Sequence, residues 1–311
     1  MSITALTASG LQTRPLNKSP RLFLSVMTWE FRRFGASRLF WFQALGLFGF
    51  FLLIMWALHA PEKFGSGSNA FVAGTSAGGL LYNLPIVLMV LVLLLPFVTA
   101  DGVTRDLSRR THELLMTTPL PTWAYVWGRY LVGLVISLGL ALLFLVSILG
   151  MGWLLHLTIT EYPPPQTEAV LLLWVGMVLS ATILVSSFGF TLSTLLPRLS
   201  TLVKVVIMVT WFVGALVIPL SMGGESALPP PSWYVNWDPT SGITARWLLP
   251  AYAITPGPMS KGPFQQLLLT IENKMPDLAG WFAPHLLLAG ASLLLVLVAS
   301  LAFKRTRETL S

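Results

Sequence analysis

The chain has 311 residues, 55% of them hydrophobic and only 10% charged, with a mean hydropathy of +0.75 and a formal net charge of +7. That is far more apolar than an ordinary soluble domain and marks an integral membrane protein. No cysteine is present, which excludes disulfides, thiolate metal sites and cysteine nucleophiles.

Residues 1–20 are polar, mixed in charge and lack an apolar core, so they predict a disordered cytoplasmic tail and not a cleavable signal. In 21–38 the apolar Leu22, Val26, Trp29 and Phe31 alternate with Glu30, Arg32, Arg33 and Arg38. This pattern predicts an amphipathic helix lying at an anionic inner membrane surface.

A membrane span needs roughly 20 largely apolar residues. Six windows qualify: Leu39–Leu58, Leu80–Ala100, Leu131–Leu155, Ala169–Leu192, Leu202–Met222 and Trp281–Phe303. They define a six-helix membrane domain over 39–303, followed by a basic cytoplasmic tail at 304–311. The fold class is therefore an all-α integral membrane protein.

The connections differ in character. Residues 59–79 are rich in Gly and Ser, and 156–168 carry the run Pro163-Pro164-Pro165, so both read as short caps. Gly74-Thr75-Ser76-Ala77-Gly78 matches Gly-x-Ser-x-Gly, the pattern of a nucleophilic serine. That motif carries chemistry on a sharp strand-to-helix turn with His and acidic partners, whereas here it opens a membrane helix and reads as a flexible linker. The longest connection, 223–280, holds Trp233, Tyr234, Trp237, Trp247 and Tyr252 and an apolar run from Leu267 to Ile271. A loop so long and aromatic predicts short interfacial or re-entrant helices over one end of the bundle.

Between the second and third spans, 104–118 contains no Gly or Pro. Leu107, Leu114, Leu115 and Met116 share one helical face, with Arg105, Asp106, Arg109, Arg110, His112 and Glu113 around the rest. Pro119 and Pro121 end the helix, because proline lacks the amide donor and clashes with the preceding turn. The charge pattern by itself describes a solvated connector.

With the amino terminus inside, fifteen of the nineteen Lys and Arg fall on the cytoplasmic side. The expected orientation therefore places both termini in the cytoplasm. A basic face against anionic lipid accounts for the high pI without nucleic acid. The spans are nearly free of ionisable groups, their polar content being Asn83, Ser180, Thr182, Ser186, Ser187 and Thr210. Ion-driven carriers place charged side chains at depth, so the energy source is expected outside this chain. No phosphate-binding Gly-x-x-x-x-Gly-Lys-Ser/Thr loop occurs, so no nucleotide site is expected within it. His59, His156 and His285 fall near the outer ends of three spans and are weak candidates for a soft metal. Imidazoles sit comfortably at such depths without a ligand, and the expectation is no metal.

The residue order adds a resemblance. Asp106, Thr111, Glu113-Leu114-Leu115, Thr118-Pro119-Leu120 and Gly128-Arg129 resemble the signature of type-2 ABC exporter permeases, with Arg110, His112 and Ala124 departing from it. Trp29-Glu30-Phe31-Arg32 followed by Arg38 is similar to the connecting helix that precedes the first span in that family. The resemblance implies a permease subunit of the cell membrane, paired with a second permease copy and without its own cofactor. A separate ATPase holding ATP and Mg would dock on 104–118. It assigns coupling to Asp106, Glu113, Leu114, Leu115, Thr118 and Pro119, with Glu30 and Arg32 as connecting-helix partners. The apolar spans favour a hydrophobic or amphipathic cargo. Two other readings compete: a serine-type enzyme acting on lipid through Ser76, and a non-transporting scaffold or sensor.

Overall fold

The structure, a computed structural model, describes residues 19–57, 61–64, 68–71, 74–100, 121–159, 162–221, 230–252 and 261–303. Among these residues, helix α1 (Ser19–Gly35) precedes six helices long and apolar enough to cross a membrane. These are α2 (Arg38–Ala57), α3 (Ala77–Thr99), α4 (Thr122–Thr158), α5 (Thr167–Leu195), α6 (Pro197–Ser221) and, last in the chain, α10 (Phe282–Ala302). Among the described residues of the connection between α6 and α10 are three short helices, α7 (Ser232–Asn236), α8 (Gly242–Leu248) and α9 (Lys261–Glu272). The expected all-α membrane architecture is therefore present. A small antiparallel hairpin, β1 (Pro61–Phe64) with β2 (Ser68–Phe71), stands where a plain cap was expected, in the register Pro61 to Phe71.

Helix α3 is the hub, in contact with α4, α5, α6 and the short α8, while α10 lies along α5. The peripheral helices show why they are peripheral. Helix α2 buries Ala44, Leu47, Phe51 and Met55, one face at spacings of three and four, and α6 buries Val203, Ile207 and Trp211. Their other faces expose Phe42, Leu45, Leu53, Leu202, Val206 and Val209, as suits helices surrounded by hydrocarbon. Small residues set the closest approaches, since packing rather than hydrophobic expulsion joins helices in lipid. A Cβ at Gly133 of α4 would sit 3.3 Å from Thr99 Cγ2 of α3, and one at Gly152 would sit 2.9 Å from Pro165 Cβ.

Helix α4 departs from the expected window in length. Its 37 residues make it about 55 Å long, well beyond the hydrocarbon thickness. The excess is at its start, which carries Trp123, Tyr125, Trp127, Arg129 and Tyr130 and meets α1. Helices α5 and α6 each contain a π-helical turn, at Trp174–Leu179 and Val213–Val217. Each turn receives a close neighbour: a Cβ at Gly176 would meet Trp281 and Phe282 at the start of α10, and one at Gly214 would meet Thr240 of the long connection.

Candidate coupling surface at the α1 end

The hydroxyls of α5 illustrate how polar groups survive inside the bundle. Ser180, Thr182, Ser187, Ser193 and Thr194 each donate to the carbonyl one turn back, and Asn83 of α3 does the same to Gly79 at 2.7 Å. Ser187 also meets the Tyr130 hydroxyl of α4 at 2.7 Å. These groups are satisfied within the protein, as hydrocarbon surroundings require.

Most of the described Lys and Arg lie at the end of the bundle where α1 lies. Helix α1 packs on the start of α4 through Gly128, where a Cβ would come within 2.9 Å of Val26 Cγ1. Phe23 stacks on Trp123 with ring centroids 5.7 Å apart. Beneath this seam Glu30 is buried and pairs with two arginines: Arg33 one turn on, at 2.5 Å, and Arg129 of α4, whose Nε lies 3.2 Å from Glu30 Oε1. The Arg129 guanidinium stands 4.5 Å over the Tyr125 ring and 5.7 Å from that of Trp29. Tyr125 in turn stacks on Phe303 just past α10, and Tyr130 packs on Phe190 of α5. Tyr125, Val126, Tyr130, Phe190 and Val296 form a second hydrophobic cluster, separate from the main core, that joins α4, α5 and α10 at this end. Nearby, Lys204 of α6 sits 5.1 Å over the Phe97 ring of α3.

Of the connecting-helix residues singled out in the sequence, Glu30 is thus the one in this network, and Arg32 is exposed. Asp106, Glu113, Leu114, Leu115, Thr118 and Pro119 lie outside the described residues, in the segment that leads directly into α4. Sequence reasoning quoted Gly128-Arg129 as a motif and missed Arg129 as Glu30's partner. Its place just ahead of the apolar window marks Arg129 as a charge at the membrane edge but does not name its partner.

The opposite end of the bundle holds the other candidates. Ser76 is buried and caps α3, its hydroxyl accepting the Gly79 N–H at 3.0 Å. The Gly-x-Ser-x-Gly match is therefore a helix cap, neither a flexible linker nor the strand-to-helix elbow that a nucleophile needs. His156 Nδ1 donates to the Tyr162 carbonyl at 2.6 Å, and His285 Nδ1 to the Trp281 carbonyl at 2.8 Å. His59 lies outside the described residues, and among the described residues no three His, Asp or Glu side chains form a metal-ligand group.

An acidic group that the sequence did not single out organises the long connection. Asp238 is buried and accepts from Thr240 N and Oγ1 at 2.9 and 2.7 Å, and from the N–H groups of Ile243 and Thr244 at 2.7 and 3.3 Å. It thereby caps α8 and holds the turn in which Ser241 takes a positive φ of 59°. Burial pushes the Asp238 carboxyl above its ordinary range, and those hydrogen bonds hold the rise back. Burial likewise raises the Tyr252 phenol to about 12.

The profile of the ABC-2 family transporter proteins matches residues 59–302, most of the chain. This protein belongs to that family. No curated protein matches the chain. Membership gives the six spans their meaning: they are the membrane-embedded permease part of an ABC transporter, and this ABC-2 permease is a transport component of a multi-pass kind. The matched region begins after α1 and α2, so the α1–α4 seam joins one helix outside the profile to one inside it.

Proposed function

We propose that this ABC-2 permease is the membrane subunit of an exporter, energised by a separate ATPase that docks on 104–118. The observation that carries the reading is the family match over 59–302; the buried Glu30–Arg129 pair, which joins α1 to the helix that follows 104–118 in sequence, supports it. ATP and Mg reside in the partner ATPase. Its closure pushes Asp106, Glu113, Leu114, Leu115, Thr118 and Pro119, with Glu30 and Arg32 as the connecting-helix partners. Two permease copies surround a central path in the cell membrane, with both termini in the cytoplasm where the Lys and Arg excess lies. The apolar spans and their back-bonded hydroxyls favour a hydrophobic or amphipathic cargo.

Affinity purification of the chain from its native membrane in mild detergent, followed by mass spectrometry, tests this reading. Stoichiometric recovery of an ATPase bearing a phosphate loop supports it. Intact, folded permease that repeatedly arrives with no ATPase would overturn it in favour of a scaffold or sensor. Because the sequence has no cysteine, single cysteines placed near either terminus and labelled from one side of the membrane check the orientation on a clean background.

A further inference from the structure

Glu30 and Arg129 have side chains only 2% exposed, and they belong to different helices, separated in sequence by two spans. Withdrawing two opposite charges from water is costly and is offset only by close geometry, so such a pair adds little to stability beyond what apolar packing would give. What it does well is fix position, because any slippage leaves a buried charge without its partner. Here the geometry around the pair is restrictive on every side. Gly128 allows α1 to approach α4 at Val26, Phe23 stacks on Trp123, and the Tyr125 ring lies 4.5 Å from the guanidinium. Arg33 ties Glu30 back to its own helix. Apart from the Arg33 pair, these contacts all involve the first two turns of α4, the stretch that follows in sequence on the segment read as the ATPase dock.

We propose that Arg129 is a positioning residue for energy coupling: its buried pair with Glu30 clamps α1 to the start of α4, so that a push on 104–118 moves both helices as one body. The inference rests on the docking reading above. Arg129 acts through Glu30 and touches neither nucleotide nor cargo in this role. A rigid α1–α4 unit carries displacement into α5 and α10 through the cluster of Tyr125, Tyr130 and Phe190. Without the clamp, α4 moves while α1 lags, and part of the displacement is lost.

The test replaces the clamp by a covalent one. Phe23→Cys with Trp123→Cys gives the only cysteine pair in the chain, at residues whose rings stack. In the permease–ATPase complex purified from membranes, Arg129→Gln should lower ATP turnover severalfold while the ATPase still co-purifies. Oxidising the 23–123 pair in that variant should restore turnover, and reduction should abolish the gain. The same disulfide in the otherwise unaltered protein should leave turnover intact. Arg129→Lys, which keeps the charge, should fall between and serves where Arg129→Gln does not fold. Unchanged turnover in both variants, failure of the formed disulfide to restore it, or loss of turnover on locking the Arg129 protein would each overturn the clamp. Absence of any ATPase from the unaltered complex would instead overturn the docking reading, and the clamp's role with it.

Discussion

The Gly242 backbone lies directly against that of Ala215: a Cβ at Gly242 would fall 2.5 Å from both the Cα and the carbonyl oxygen of Ala215. Helix α8 is seated in this way on the π-helical turn of α6, with Thr240 on Gly214 as the second contact. Backbone cannot yield as a flexible side chain can. Gly242→Ala should therefore destabilise the protein by about 1–3 kcal/mol, the usual cost of overpacking. Thermal unfolding in detergent reads the effect. Gly290, which has open space around its Cβ position, is the control: Gly290→Ala should be neutral or slightly stabilising.

The Ser76 cap predicts a negative chemical result. Its hydroxyl is committed to the Gly79 N–H and is buried, so a fluorophosphonate probe should label the purified protein no more than it labels Ser76→Ala. The same substitution should cost about 1 kcal/mol of stability through loss of the cap. Labelling that disappears in the variant would restore the serine-enzyme reading.

How much of this was legible depends on which signal each residue carried. The spans were, because hydropathy over some twenty residues is strong and local: the edges of α2, α3 and α10 fall within a few residues of the windows. The start of α4 was not, because Thr122–Tyr130 mixes aromatics with Arg129 and dilutes the hydropathy while remaining helical. The buried pair illustrates the wider limit. Glu30 and Arg129 are ninety-nine residues apart, and no pattern on either helix says that they meet. The cap at Asp238 was readable in principle, since Asp-Pro-Thr-Ser ahead of an apolar stretch is turn-and-cap chemistry. The β1–β2 hairpin carried no such signal, because neither Pro-Glu-Lys-Phe nor Ser-Asn-Ala-Phe has a β-branched residue.

Glu113 gives the most direct test of the docking segment. Glu113→Ala should reduce ATP turnover or transport by the assembled complex while the permease remains folded and in the membrane. The measurement is hydrolysis by the co-purified ATPase at matched permease levels. Full activity would count against Glu113 as a contact and would shift attention to Asp106 and Thr118.

Asp238 separates two contributions that usually come together. Asp238→Ala strands the Thr240, Ile243 and Thr244 N–H groups in a buried turn, and each such orphan costs about 1–3 kcal/mol where water cannot replace the carboxylate. Asp238→Asn keeps one acceptor oxygen and no charge, so it should fall between Asp and Ala in thermal stability near neutral pH. The pH dependence has a definite sign. Burial raises the folded-state pKa above its unfolded value, so the protonated form is favoured by folding. The contribution of the group is then fully present below the unfolded pKa and declines as pH rises through the folded one. Asn cannot ionise, so the stability of Asp238→Asn relative to the unaltered protein should improve with rising pH across that window. Unfolding of both proteins over a pH series decides it: a difference that worsens for Asn as pH rises would mean that the four donors outweigh burial and hold the carboxylate ionised.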